Sequence, residues 1–514
     1  MQYGIARTLV LAIAGRAEAE VARMVHEVLT RHRDELVQAL VAFVGEKVTP
    51  ESAFDFEAEL AGRFREIARQ LAEVAFNLLE SDAAESMPHD VVRGNEGYRR
   101  LAGKTPHRRV GTLFGFGRPA DSVFGTVTLW RHGYRPWDRD SESGVIFPLE
   151  TQLGLIEGTT PALAERVGWY MAEAGATQRT VLERLKSQHG VCWGAGRLRN
   201  LTQRLSQDLS ALTQEQQVQR LLELLRQAHA SRGRGQPTLA VGRDGVTLRE
   251  YRYRFFENAT VATVTVYDRR GHRLGTVYLA FVPELGQGTM TERLTALLLE
   301  LLRRWEGALP QLAYVTDAGE SETQYYCKVL RRMTHPRTGE RLGWTRVVDY
   351  YHASQRLWVM AESLFGKDSP AGRAWARRMC RVLKEPNGPS RVLHSAAALR
   401  AQRRLTKQRE ADYQRAANYV RQRTKAMQYH AFKKRGLPIG SGVTEAACKT
   451  IVAQRLKLSG MRWSKAGAQP ILDLRVTLLS GIWAATYRQH LRSLHNLRIE
   501  THGDLPTHTL QIAA

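Results

Sequence analysis

From residue 238 onward the hydrophobic pattern leaves the chain few folds to choose from. Apolar and polar residues alternate through "TLAVGRDGV" (238–246), "TVATVTVYD" (260–268) and "RLGTVYLAFV" (273–282), and the turn "RRGH" joins the last two. A period of two builds half-buried strands, and a Gly-containing turn between two such runs makes a hairpin. The period changes to that of a helix in "TERLTALLLELLRRW" (291–305) and back to a strand in "QLAYVTD" (311–317). A second helix, "ESETQYYCKVLRRM" (320–333), and a fifth strand, "TRVVDYYH" (345–352), follow. Three antiparallel strands and then helix, strand, helix, strand predict an α/β sheet with a leading meander. Residues 353–435 break the alternation as an all-α, basic insertion. The core resumes over 436–490, where "GLPIGSG" precedes the helix "VTEAACKTIVAQRLK", and residues 491–514 form a tail.

The region before this core is mainly α with a small β segment. Residues 1–108 are expected to be helical, with apolar positions at steps of three and four (Val21, Met24, Val25, Val28, Leu29) and a connector at about 87–108. The opening "IARTLVLAIAGRAEAE" reads as the start of that helix, because its apolar stretch is too short for a signal peptide. Residues 109–160 predict strands in "RVGTLFGFG", "SVFGTVTLWRHGYR" and "GVIFPLE". Residues 161–230 return to helix. There "TQRTVLERLKSQHG" followed by "VCWGAGRLRNLTQRLSQDL" has the outline of a helix-turn-helix, read either as a DNA-docking element or as a plain helical hairpin. Leu198, Leu205 and Leu212 recur every seven residues, as a dimerising seam or an ordinary core face would. "SRGRGQP" (231–237) is the expected linker.

Charge narrows the class of partner. The 514 residues carry 75 Lys and Arg against 51 Asp and Glu, a net charge of +24. The surplus is uneven: residues 1–100 are slightly acidic, whereas residues 381–435 hold about 15 basic and 3 acidic side chains. Too few acids are present there for i, i+4 pairing to absorb the surplus, so the segment is read as a surface for a polyanion, nucleic acid before a merely solvated face. No apolar run reaches the ~18 residues that would span a bilayer. Cys192, Cys327, Cys380 and Cys448 are far apart with no CxxC pair, which fits a reducing cytoplasm and small buried side chains rather than disulfides or a zinc ribbon.

Three carboxylates stand at positions suited to chemistry. Asp244 ends the first strand in "VGRDGV", Asp317 ends the fourth in "AYVTDAGE", and Glu445 lies in the first turn of the helix after "PIGSG". An acid just past a buried strand faces the crevice at the sheet edge. Carboxylates converging there form a hard, all-oxygen site for Mg²⁺ or Mn²⁺. Two such ions about 4 Å apart activate a water or a 3′-hydroxyl and steady the departing oxygen of a phosphodiester.

"GRDGV", "YVTDAGE", "VVDYYHASQRLW" and above all "GLPIGSGVTEAACKTIVAQRLKLSGMRWSKAGAQPILDLR" resemble the ISKra-type bacterial insertion-sequence transposases of the DDE transposase superfamily, over about residues 238–485 and more loosely over 109–160. The resemblance implies an RNase H-like catalytic core with an α-helical insertion, a triad of Asp244, Asp317 and Glu445, and two Mg²⁺ (or Mn²⁺) ions. It also implies cleavage at the terminal inverted repeats of a mobile element, strand transfer into target DNA, and a homodimer acting on double-stranded DNA in the bacterial cytoplasm, at the nucleoid. Members often carry a cysteine-bearing stretch before the "FPL" strand; "RHGYRPWDRDSESGVIFPLE" has no cysteine, so no zinc is expected. A transposase-derived repressor without catalysis, and an RNase H-like nuclease without strand transfer, are the competing readings.

Other residues are candidates by placement. Asp349 and His352 follow the fifth strand; His352 either contacts the scissile phosphate or is a satisfied structural histidine. Lys449, one turn beyond Glu445, is placed to pair with it or to meet a phosphate. Arg455, Lys457, Arg462 and Trp463 form a basic-aromatic cluster for DNA, with Trp463 read either as a base-stacking platform or as core.

Overall fold

The first unit opens on two long helices, α1 (Gln2–Gly45) and α2 (Pro50–Asn77), and the residues between them explain the break. Thr49 Oγ1 accepts from the Ser52 amide at 3.1 Å while Ser52 Oγ accepts from the Thr49 amide at 2.9 Å. Pro50 supplies a preset φ at the first helical position, so α2 starts at this point. The computed structural model describes residues 2–80, 87–93, 96–101, 119–138, 140–249, 256–494 and 499–502. The chain divides into two compact units, one of Met1–Met171, Ala176–Asp208 and Tyr487–Ala514, the other of Ala172–Gly175 and Leu209–Thr486.

After α2 come β1 (Asp90–Arg93), β2 (Glu96–Arg100), β3 (Pro119–Ser122), β4 (Gly125–Thr128) and β5 (Tyr134–Pro136). β5, β2, β1 and a last strand, Ile499–His502, form one antiparallel sheet, and β3 pairs with β4. The expected connector at 87–108 therefore contains two strands, and the tail contributes a third. "RVGTLFGFG" lies outside the described residues. "GVIFPLE" is not a strand: only Ile146 bridges Tyr134, and Pro148 then starts the short helix α3 (Pro148–Gln152).

α4 (Pro161–Ala172), α5 (Gln178–His189) and α6 (Ala195–Ala230) follow. Gly190 ends α5 in the left-handed region at φ 65°, so the expected helix-turn-helix outline is present. Its turn is anchored on β3, where the buried Asp121 takes the Trp193 indole at 2.7 Å and the Arg197 guanidinium at 2.7 Å. Leu198, Leu201, Leu205 and Leu209 are buried, so the leucine repeat fills this chain's own core rather than a dimer seam. The division between units falls within α6, and Ser231–Pro237 is not a linker between domains. Arg269 holds that segment by donating to the carbonyls of His229 and Gly235 at 3.1 and 3.4 Å.

The second unit is built on β6 (Thr238–Arg249), β7 (Phe256–Tyr267), β8 (Arg273–Phe281), β9 (Gln311–Thr316) and β10 (Thr345–Val348), in the spatial order β10-β9-β6-β7-β8. β7 is antiparallel to both neighbours, and β6, β9 and β10 are parallel. α7 (Gly288–Arg304) and α8 (Glu320–Lys328) are the two crossover helices. One face of the sheet (Leu239, Val241, Leu312, Tyr314) packs on Leu221 and Leu225 of α6 and on Leu294, Leu298 and Leu301 of α7. The other (Ala240, Ala313, Val315, Val347) packs on the insertion, α9 (Tyr350–Phe365), α10 (Pro370–Val382), α11 (Gly388–Ala401), α12 (Lys407–Arg423) and α13 (Tyr429–Lys434). At roughly 1.5–3 kcal/mol for each large apolar side chain taken from water, this two-sided burial is the main force on the sheet. The fifth strand is shorter than predicted, because Asp349 leaves it to cap α9.

After the insertion come α14 (Gly442–Ala447), a π-helical turn (Cys448–Ala453), α15 (Gln454–Leu456), α16 (Lys465–Leu479) and α17 (Trp483–Leu494). β8 would be an open sheet edge, yet side chains cap it. Tyr278 donates its amide to Ser480 Oγ at 3.0 Å and accepts from Gln217 at 2.9 Å, while Gln469 bonds the Val282 amide and the Ala280 carbonyl at 2.9 and 3.2 Å. Gln469→Ala is expected to cost about 1–3 kcal/mol by orphaning two backbone groups. An unchanged thermal midpoint would show that water replaces the amide without loss.

Candidate active site

The register of the sheet brings three aspartates into one row. Val241 pairs with Tyr314 in the parallel ladder, and Asp244 and Asp317 each lie three residues further along. Thr316 pairs with Val348, so Asp317 and Asp349 are the next residues of β9 and β10. β9 and β10 end side by side just before Asp317 and Asp349, at the carboxyl edge where open α/β sheets bind ligands. β6 instead runs on to Arg249 paired with β7, so Asp244 lies within its strand, past the last parallel pair, and not at its end as expected. The turn after Asp317 is strained to fit: Ala318 has φ 64°, a left-handed conformation uncommon for a non-glycine residue. Asp317 Oδ1 accepts from the Gly319 amide at 2.9 Å.

Glu445 reaches this edge because Gly242 lets its helix come close. A Cβ on Gly242 would lie 1.9 Å from Thr444 Oγ1 and 2.9 Å from Thr263 Oγ1, and those two hydroxyls are 2.8 Å apart. The residue before Glu445 is therefore bonded to the strand beside Asp244. The π-helical turn that follows α14 sets Cys448 Sγ 3.6 Å from Asp244 Oδ2.

Electrostatics report the convergence. The Asp244 carboxyl is pushed above the usual aspartate range, first by burial and then by the charges of Asp317 and Glu445, although the Gly245 amide at 2.7 Å and Cys448 oppose the shift. Glu322 on α8, which the sequence reading passed over, is a fourth acid of the same field. It is buried, its carboxyl lies against Gly319, and burial followed by the Asp317 charge raises it. Burial, Asp244 and Glu445 also push the Cys448 thiol up, so it stays protonated and donates.

Asp349 and His352 have separate tasks. Asp349 is fully buried, and its carboxylate accepts from the His352 amide at 2.8 Å, from Ser441 Oγ at 2.8 Å and from the Ser441 amide. Ser441 Oγ is also 2.9 Å from Glu445 Oε1, so Asp349 fixes the loop that positions Glu445. His352 Nδ1 lies 3.4 Å from Asp349 Oδ1 and 3.7 Å from Glu445 Oε1, and one ligand atom from each of these three residues fits within 4.8 Å.

The remaining candidates disperse. Arg455 is fully buried with its guanidinium over the Trp463 ring at 5.3 Å, and burial and the nearby Arg475 charge pull it down to about 10. It is a core residue and presents no surface to a phosphate, which corrects its assignment as a DNA contact, and Trp463 is half-buried beneath it. Lys449, Lys457 and Arg462 are exposed, and among the described residues no ion pair joins Lys449 to Glu445. Of the cysteines, Cys448 is buried and Cys380 half-buried, but Cys192 and Cys327 are exposed, against expectation.

No protein-family model matches this sequence, and no curated protein matches it. Among the described residues no helix is long and apolar enough to cross a membrane.

Two outcomes follow from this geometry. Gly242→Val drives a methyl into Thr444 and is expected to cost about 1–3 kcal/mol, read by thermal unfolding; an unchanged midpoint would refute the close approach. A raised native pKa means that the ionised Asp244 costs stability above that pKa, a cost that disappears at low pH. Asp244→Asn at neutral pH in chelator is therefore expected to unfold at a higher temperature than the wild type, and a lower one would show that the acids do not repel.

Proposed function

We propose that this chain is a DNA transposase of the DDE superfamily, built on an RNase H-like core, that cuts phosphodiester bonds at the ends of a mobile element and joins the freed ends to target DNA. The observation that carries the reading is that Asp317, just past β9, and Glu445, on α14, both act by their charge on Asp244 of β6, although the ligand atoms that lie within 4.8 Å of one another belong to Asp349, His352 and Glu445. Its support includes the strand order β10-β9-β6-β7-β8 with β7 antiparallel, and the helical insertion between Asp317 and Glu445. The family resemblance and the net charge of +24 point the same way.

The residues suit divalent magnesium or manganese. The donors are carboxylate oxygens, and among the described residues no Lys or Arg ion pair reaches Asp244, Asp317 or Glu445. Asp244, Asp317 and Glu445 would hold the ions, which when bound lower the pKa of a water or 3′-hydroxyl and stabilise charge on phosphate. The protein's own contribution is placement. Gly242 and Thr444 fix α14 on β6, Asp349 and Ser441 fix the approach to Glu445, and His352 is available to take or give a proton beside Glu445. The exposed face of α5 and α6 is assigned to terminal-repeat recognition, and the basic insertion to the DNA backbone. A homodimer would bring two ends together in the cytoplasm, at the nucleoid.

Asp244→Asn is expected to lower Mg²⁺-dependent cleavage of element-end DNA at least about 100-fold, some 3 kcal/mol of barrier, with DNA affinity retained. Equal cleavage by the variant would sink the catalytic assignment. Joining of pre-cut ends to a plasmid separates transposition from plain nuclease action.

A further inference from the structure

Three guanidinium groups gather beside Asp317 without an acid to pair with. Arg356 of α9 and Arg423 of α12 both lie over the Tyr419 ring, at 5.0 and 4.2 Å. Tyr419 donates its hydroxyl to the Asp317 carbonyl at 2.7 Å, which ties this stack to the end of β9. Arg423 reaches the Ala318 carbonyl at 3.4 Å, and Arg346 of β10, lying over the Tyr326 ring at 5.3 Å, donates to Thr323 at 2.6 Å. Burial first, then the charges of Arg346 and Arg356, lower the proton affinity of Arg423, against the opposing pull of Tyr419 and Asp317. Elsewhere the arginines commonly meet carboxylates, as Arg400 meets Glu410 and Arg304 meets Glu215. Among the described residues none of these three does.

Packing like charges together is unfavourable unless an anion completes the site. The acids next door add a second requirement, since they repel any polyanion brought to them, and cations at the same edge offset that repulsion. We propose that Arg356 and Arg423, stacked on Tyr419, together with Arg346, whose partner Thr323 donates to the same Ala318 carbonyl that Arg423 meets, bind a backbone phosphate of the DNA strand presented to Asp317. The planar forks suit phosphate oxygens, and the tyrosine face holds two of them in place. This assignment rests on the DNA-processing reading and adds to it the residues that seat the strand.

The test is binding of the full-length protein in EDTA to a fluorescent 30-base-pair duplex of arbitrary sequence between 50 and 300 mM KCl. For the wild type, log affinity should fall linearly with log salt. Arg356→Gln, at an exposed position where folding is safe, is expected to weaken binding several-fold and reduce the slope by about 0.9, the loss of one phosphate contact. Arg356→Lys should recover the slope but only part of the affinity. Tyr419→Leu should weaken binding with all three arginines retained, whereas Tyr419→Phe, which keeps the ring and loses only the tie to Asp317, should weaken it less. Thermal unfolding checks that each variant is folded. Wild-type affinity and slope in Arg356→Gln and Tyr419→Leu would overturn the phosphate site and leave the DNA reading standing. No binding by the wild type at 50 mM KCl would overturn both.

Discussion

Repulsion among carboxylates crowded at one sheet edge is the constraint to which the second unit is built. Asp244, Asp317, Glu445 and Glu322 repel one another, and burial first, then the charges of Asp317 and Glu445, raises the Asp244 carboxyl. What holds them is apolar: two buried faces clamp β6, β9 and β10 in register, which fixes Asp244 within β6 and Asp317 and Asp349 just past β9 and β10. Glu445 is brought in by one glycine and a pair of threonine hydroxyls. The cost of the site is met by the core on both sides of it.

The same logic explains why supporting groups outnumber acting ones. Asp349 is an acid at the row's end, yet its carboxylate is saturated by the first turn of α9 and by Ser441. A buried carboxylate with three donors is a fixed strut, and Glu445 leans on it through one hydroxyl. His352 has a ring nitrogen near both acids and is half-exposed, so of that pair it is the one a ligand can reach.

Much of this was legible in the sequence. Period-two and period-3.6 patterns located the five strands and both crossovers, because two-sided burial stamps the pattern strongly on a sheet covered by helices. Asp317 was legible for the same reason, since it follows β9 directly, but Asp244 was misplaced: β6 continues past it to Arg249, because pairing with β7 outlasts pairing with β9. Small elements were not. β1 and β2 span four and five residues, too short for alternation to rise above a connector's composition. Pro148 outweighed the apolar "GVIF" before it and started a helix. Glu322 was invisible because an acid in a helix's first turn is ordinary, and only the fold reveals that this one is buried. Arg455 misled because Lys457 and Arg462 of the same cluster are exposed and basic, whereas Arg455 itself is buried in the core.

Acids and arginines at this edge are better understood together than apart. A site of carboxylates alone would hold cations and repel nucleic acid; one of guanidiniums alone would hold nucleic acid and repel cations. Tyr419 joins the two, with its hydroxyl on the backbone of Asp317 and its ring beneath Arg356 and Arg423. It belongs to α12, inside the insertion that interrupts the core between Asp317 and Glu445. The insertion is therefore more than a basic surface added to an α/β sheet. It buries one face of that sheet, and it carries positive charge to within a hydrogen bond of the strand end that bears the second aspartate.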